Sequence, residues 1–230
     1  MAIPLLFLFV TSCNEQHVDE TIFENQKVEI RTSDCENLGN GGSDCETEIK
    51  TGQYIINGCM VNVSYKLSKC GNDFSIKDFS YTFTNSSACN TIQQQWSALF
   101  NIPTLAANNA MNAFYKQLSI MVEDYEFSLL DPDEFPCPSN NSTWSWIETH
   151  CHTLCATKGD GEEGDLLLNH VVCGYSCCIR STSFCFENGV PKRTDVQIND
   201  LSDECEPVEF IACPNDSYDP NACQKSCARL

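Results

Sequence analysis

Cysteine content constrains this chain more than any other feature, since 17 of its 230 residues are cysteines. So many thiols favour an oxidising compartment, in which disulfides form and persist. Because the number is odd, one cysteine needs a role other than an intramolecular bridge. We therefore expect a fold held together by disulfides, with one sulfur left over.

Composition narrows the class of protein further. The formal net charge of -19 argues against a nucleic-acid partner and against docking on anionic lipids through a basic patch. The 42% hydrophobic and 10% aromatic content excludes a disordered acidic chain. The length allows one or two domains with a sizeable hydrophobic core.

The first residues predict export. The apolar run of residues 3–10 is shorter than the roughly 18–20 residues that span a bilayer, and it indicates a signal peptide over residues 1–12. The following Val-Thr-Ser-Cys sequence, residues 10–13, resembles the lipobox of bacterial lipoproteins. This resemblance implies that Cys13 is lipidated and becomes the mature N-terminus, which would account for the odd cysteine.

A polar, acidic segment follows Cys13. It is similar to the tether of Bacteroidota outer-membrane lipoproteins, which implies a tether over residues 13–34 and a location at the cell surface. The alternative is an ordinary cleaved signal peptide, with Cys13 in a bridge. Five glycosylation sequons keep a secreted eukaryotic glycoprotein as a further alternative, namely those at Asn62, Asn85, Asn140, Asn141 and Asn215.

The other sixteen cysteines are compatible with eight disulfides. Five precede residue 90 and eleven follow residue 136: Cys35, Cys45, Cys59, Cys70, Cys89, Cys137, Cys151, Cys155, Cys173, Cys177, Cys178, Cys185, Cys205, Cys213, Cys223 and Cys227. Both counts are odd, so complete pairing requires an odd number of bridges between the two groups. We expect Cys89–Cys137 to be such a bridge.

Residues 35–136 predict an antiparallel meander covered by helices. Apolar residues alternate with polar ones over 61–67 and again over 79–83, with turn sequences at Asn57-Gly58 and at 70–73. Helices are predicted over Thr91–Asn101 and from Thr104 onward. Their apolar stripe recurs at spacings of three and four and predicts a core face that comprises Met111, Phe114, Leu118, Met121, Val122 and Tyr125. This combination favours an α+β fold.

Residues 137–230 predict a disulfide-rich lobe that is covalently tied to the preceding part. Helices are predicted over Trp144–Leu154 and Asn221–Arg229. A β-branched and aromatic run over His170–Phe186, a turn at Asn188-Gly189 and a return strand over Thr194–Ile198 predict a hairpin.

Three Cys-x-x-x-Cys pairs suit two elements that are stapled by parallel bridges: Cys151/Cys155, Cys173/Cys177 and Cys223/Cys227. The adjacent Cys177 and Cys178 point to opposite faces of a strand, so we expect them to have different partners.

Two metal sites compete with structural interpretations. Zinc could use His150, His152 and His170 with their neighbouring cysteines, but the spacing matches no zinc finger and an oxidising compartment favours bridges. A glycine-rich acidic loop offers calcium ligands at Asp160, Glu162 and Asp165, although we favour a solvated surface loop over a calcium site. We expect no other cofactor.

No catalytic motif is present among the nucleophile-elbow, zinc-protease, phosphate-loop and dinucleotide patterns. The sequence therefore predicts a lipid-anchored extracytoplasmic binding or accessory lipoprotein. Its expected role is as a non-catalytic subunit of an outer-membrane complex, beside a β-barrel or another lipoprotein. The alternatives are a secreted Cys-rich binding or inhibitory module without lipid, and a surface hydrolase with an acidic site.

Overall fold

The computed structural model describes residues 45–100, 105–158, 166–201, 204–207 and 223–230. Several predicted features lie outside these residues. They are the signal peptide, the tether, the lipidation site, two bridge cysteines and the calcium candidates: Cys13, Cys35, Cys213, Asp160, Glu162 and Asp165.

The described residues form a mixed sheet with two helices, which is an α+β fold. The strands are β1 (Glu46–Ile56), β2 (Cys59–Cys70), β3 (Asp73–Phe83), β4 (Ser142–Lys158), β5 (Leu166–Glu187), β6 (Val190–Asp200) and β7 (Glu206–Pro207). Helix α1 spans Ser87–Phe100 and helix α2 spans Leu105–Ser128. The strand order is β1-β2-β3-β4-β5-β6, with β7 on β5. Only the β3–β4 pairing among these strands is parallel.

The predicted meander is confirmed for β1 to β3. Asn57 and Gly58 have φ angles of 52° and 78°, and Gly71 has a φ of 63°, so both turns use the left-handed region. The alternating side chains of β2 are buried, from Val61 through Leu67. One face of the meander therefore belongs to the core.

Both helices of the first half are confirmed, although the first begins before the predicted residue. The α2 stripe lies in the core as expected, with Met111, Phe114, Leu118 and Val122 buried. The ring of Trp96 in α1 lies 5.6 Å from that of Phe83 in β3. Among the described residues, no helix is long and apolar enough to cross a membrane.

The predicted helix over Trp144–Leu154 is wrong, because this segment belongs to strand β4. Its tryptophans alternate into the core, with Trp144 stacked on Phe74 at 4.4 Å between ring centroids. Strand β4 also pairs with β3 on one side and with β5 on the other. These pairings supply hydrogen bonds to the backbone of β4 and bury its aromatic face, so they override the local helical periodicity.

The C-terminal helix is much shorter than predicted. A 3-10 helix spans Ser226–Arg229, whereas Gln224 forms an isolated bridge with His152 of β4. The predicted hairpin between β5 and β6 is confirmed, with Asn188 and Gly189 at φ angles of 54° and 76°.

Six disulfides join described residues, and each of them connects two cysteines of the same half of the chain. They are Cys45–Cys70, Cys59–Cys89, Cys137–Cys185, Cys151–Cys205, Cys173–Cys223 and Cys178–Cys227. The predicted Cys89–Cys137 bridge is therefore wrong. Cys89 lies in the first turn of α1, next to the β1–β2 turn, and bonds Cys59. Cys137 precedes β4, lies beside the end of β5 and bonds Cys185.

Cys155 and Cys177 are also disulfide-bonded. They do not bond each other, because Cys155 lies opposite Asn169, and Cys177 is eight residues further along β5. At the rise of an extended strand this is roughly 25 Å, far beyond the Cα separation of about 7 Å that a disulfide tolerates. Cys178 bonds Cys227, so the adjacent Cys177 has a different partner, as predicted.

A buried ionic network ties α2 to the second half of the sheet. Arg180 of β5 donates from Nη2 to Oε1 of Glu123 at 2.8 Å and from Nη1 to Oγ of Ser119 at 2.9 Å. Arg193 of β6 lies 3.1 Å from the other Glu123 oxygen. Each charge in this network is paired, which offsets the cost of removing it from water.

Candidate functional site

A cavity of about 400 Å³ lies where the two parallel strands part. The β3–β4 ladder ends at Ile76 and Trp146, although β3 continues to Phe83 and β4 to Lys158. Beyond this point β3 remains paired with β2 and β4 with β5, and residues of both strands line the cavity together with residues of both helices, β5 and the 3-10 helix. Its volume falls within the roughly 300–1,000 Å³ of small-molecule sites.

Aromatic rings form much of the cavity wall. Phe79, Tyr81 and Phe83 come from consecutive inward positions of β3, and Trp96 comes from α1. These rings also contact one another, for example Tyr81 and Phe83 at 5.7 Å between centroids. Ser80 and Thr82 alternate with these rings along β3 and are exposed. Because neighbouring rings are tilted or edge-to-face to one another, the cavity has an uneven, largely apolar aromatic wall.

Arg229 reaches the cavity floor because several bonds hold the C-terminal segment against the sheet. Disulfides fasten Cys223 and Cys227 to β5. The backbone N–H of His152 donates to the carbonyl of Gln224 at 2.9 Å, and the reverse bond is 2.8 Å long. The side chain of Asn112 in α2 also donates to Oε1 of Gln224. These restraints fix the 3-10 helix that carries Arg229.

The guanidinium of Arg229 is surrounded by polarisable groups. Its Cζ lies 3.7 Å from the centroid of the Tyr115 ring, which is a cation–π contact. Its Nη1 lies 2.7 Å from Nε2 of His152 and 3.5 Å from a carboxylate oxygen of Glu148. Burial lowers the pKa of Arg229, but an arginine stays charged across the physiological range.

Glu148 lies behind the floor as the counter-group of Arg229. It accepts a hydrogen bond from the hydroxyl of Tyr115, and Trp146 donates to that hydroxyl at 3.3 Å. Burial raises the pKa of Glu148 to about 7, whereas the charges of Arg229 and Arg180 oppose this rise. Burial therefore works against the ionisation of the carboxyl that faces Arg229.

Two histidines complete the polar part of the wall. Burial lowers the pKa of His152 well below its usual range and lowers that of His170 to about 3, and the charge of Arg229 adds to both effects. Both imidazoles are therefore neutral near pH 7. Nδ1 of His170 and Nε of Arg229 are buried without a hydrogen-bond partner. Two polar groups in one cavity wall thus have unused bonding capacity.

A second cavity of about 310 Å³ lies near β1 and the end of α2. Three of its five charged side chains are engaged: Lys50 pairs with Glu48 at 2.9 Å, and Glu126 accepts from the hydroxyl of Tyr65. Since three of its five charged residues are acidic, this cavity suits an anionic ligand less well than the cavity at Arg229 does.

The cysteines near the histidines form bridges. The sulfurs of Cys151, Cys205 and Cys223 lie within 4.8 Å of one another, but each belongs to a disulfide. Cys155 and Cys173 are bridged as well. The zinc alternative requires cysteine thiolates as ligands, and these cysteines form disulfides instead. What the fold does bring together is imidazoles, with His152 and His170 at 6.0 Å between ring centroids.

Sequence reasoning singled out His152 and His170 as metal ligands but overlooked Arg229, Glu148 and Tyr115. The only local signal for Arg229 was its position beside Cys223 and Cys227, the pair predicted to staple two elements. The aromatic residues of β3 were predicted as core, and the structure leaves them half-buried at the cavity wall.

Comparison with protein-family models, with curated proteins and with solved structures gives no match for this chain. The function therefore has to be inferred from the site itself.

Proposed function

We propose that this chain is an extracytoplasmic binding protein, lipid-anchored through Cys13, that holds a ligand in the cavity between β3 and β4. The proposal rests mainly on two residues that line the cavity, Arg229 and His170, each of which carries a buried polar atom without a hydrogen-bond partner. Buried polar groups are nearly always hydrogen-bonded in folded proteins. A bound molecule would supply the missing partners.

Binding is favoured over catalysis by the residues that line the cavity. Among the described residues, this lining includes no aspartate or glutamate. The paired carboxylates of an acidic hydrolase site therefore lack a counterpart here, and Glu148 is engaged behind the floor with Tyr115.

The lipoprotein part of the proposal is supported by the lipobox-like residues 10–13 and by the extensive bridging of the chain. In this proposal the protein is an accessory subunit of an outer-membrane complex, beside a β-barrel or another lipoprotein. Its two helices cover the meander, and residues 137–230 form a bridged lobe.

The anchor is tested by the intact mass and phase partitioning of the protein produced in a Gram-negative host. We expect an N-terminal Cys13 that carries a diacylglyceryl group, and a Cys13→Ser variant that no longer enters the detergent phase. A mature N-terminus other than Cys13, or a bridged Cys13, would instead favour the secreted module.

The accessory role is tested by purifying the native complex from detergent-solubilised outer membranes. We expect a β-barrel protein or a second lipoprotein to copurify in a fixed ratio. A native chain that runs alone at its own mass would refute this part of the proposal.

The cavity is tested with a matched pair of two-ring probes, 2-naphthalenemethanol and 2-naphthoate. Binding of either probe should quench Trp96, which lines the cavity, and shift the backbone amide resonances of residues 79–83. If neither probe produces these changes at millimolar concentration, the cavity is not a site for ligands of this class, and the proposed binding function fails.

A further inference from the structure

We propose that the cavity between β3 and β4 selects organic anions, with a carboxylate on Arg229 and His170 and an aromatic or otherwise planar body against the ring-lined wall. This inference rests on the proposed binding function and adds the chemical class of the ligand.

The first argument concerns charge. The chain carries a net charge of -19, yet Arg229 is the only formally charged side chain in the described lining of the cavity. Its nearest carboxyl, Glu148, is 3.5 Å away and shares its oxygens with the hydroxyl of Tyr115. An anion that enters the cavity therefore meets a cation and no lining carboxylate.

The second argument concerns the donors that remain. Arg229 is 7% exposed and uses Nη1 on His152, whereas its buried Nε has no acceptor. Nε lies on one of the guanidinium edges that bind carboxylates through two parallel hydrogen bonds. The unpartnered Nδ1 of neutral His170 can carry a proton and donate as well. Two groups of the same wall thus lack what a carboxylate would provide.

The third argument concerns the body of the ligand. Four aromatic residues line the cavity on the β3 and α1 sides, namely Phe79, Tyr81, Phe83 and Trp96. Aromatic rings pack best against other planar, apolar groups in offset or edge-to-face arrangements. Met111 and Leu168 add apolar surface from α2 and β5. A small hydrophilic anion would leave this surface without contacts, so the site favours an anion with an apolar body.

Calorimetric titration of the full, disulfide-bonded mature chain near pH 7 compares the two naphthalene probes. They share the ring system and differ in charge. Because a hydrogen bond to a charged group contributes about 1.5–3 kcal/mol, we expect 2-naphthoate to bind about 10- to 100-fold more tightly than 2-naphthalenemethanol.

Two variants locate the preference, and one variant controls for charge. Arg229→Gln should remove most of the preference for the acid, because only the acid loses a partner of opposite charge. His170→Phe, which keeps a planar ring, should reduce the preference by a smaller factor. Lys192→Gln removes the same charge from an exposed residue that pairs with Glu187, so it should leave both affinities unchanged. Circular dichroism and disulfide mapping verify the fold of each variant.

The outcomes separate the two proposals. Equal affinity of both probes, with Trp96 quenched, keeps the binding function and refutes anion selectivity. A preference for the acid that survives Arg229→Gln places the anion elsewhere and also refutes it. If Arg229→Gln does not fold, His170→Phe decides, and an unaltered preference counts against the inference. Failure of both probes on the wild-type chain refutes the binding function itself.

Discussion

Replacing Glu148 by glutamine should remove a specific part of the pH dependence of stability. The pKa of Glu148 is raised from 4.5 to about 7 in the folded chain because the carboxyl is buried. The folded state therefore holds this proton more tightly than the unfolded state. The contribution of Glu148 to stability is complete below about pH 4.5 and is lost as the pH rises through about 7.

The magnitude follows from the shift. One unit of pKa corresponds to about 1.4 kcal/mol, so a rise from 4.5 to about 7 corresponds to about 3 kcal/mol. Glutamine at position 148 can accept from Tyr115 but does not titrate. The free energy of unfolding of the wild type, minus that of Glu148→Gln, should therefore fall by about 3 kcal/mol between about pH 4 and about pH 8.

Urea unfolding without reductant, followed by tryptophan emission at a series of pH values, measures this difference. The lowered pKa values of His150, His152 and His170 affect both proteins alike and largely cancel in the subtraction. Glu134→Gln removes an exposed carboxylate and controls for net charge. A constant offset between the wild type and Glu148→Gln at every pH would refute a buried carboxyl with a raised pKa.

Three further predictions concern packing and connectivity. Arg180→Met should lower the free energy of unfolding by about 3 kcal/mol, since buried Glu123 loses its partner at 2.8 Å; chemical unfolding measures this. Phe127→Ala should cost about 3–5 kcal/mol in the same assay, because this fully buried ring stacks on two others, and a loss below 1 kcal/mol would contradict that packing. Non-reducing peptide mapping should join Cys155 or Cys177 to residues 1–44, because Cys213 is the only other cysteine of the second half outside the six described bridges; finding neither cysteine joined to that segment would contradict this.

Local patterns predicted the first half of the fold well. The meander could be predicted from the alternation of apolar and polar residues and from the Asn57-Gly58 turn sequence, because both signals depend only on neighbouring residues. Strand β4 was missed because its strand character depends on pairing with β3 and β5, which are distant in sequence. A short run with tryptophans and Ile147 fits either periodicity until its partners are known.

The candidate site depended even more on distant contacts. Cysteine spacing does not determine connectivity, so the bridge from Cys173 to Cys223 could not be predicted. Without that bridge, nothing in the sequence places Arg229 beside His152 or Tyr115. The histidines could be selected from the sequence because imidazole is a common metal ligand. Their neutral, buried state follows from the fold.

The two bridges that fasten the C-terminal segment to β5 have a consequence for biogenesis. Among the described residues, Cys173–Cys223 and Cys178–Cys227 are the disulfides that fasten the segment carrying Arg229 to β5. Before they form, this segment is not cross-linked to the strand that supports the cavity floor. Under the proposed function, the capacity to bind an anion would therefore arise only after export, once oxidation has joined these sulfurs.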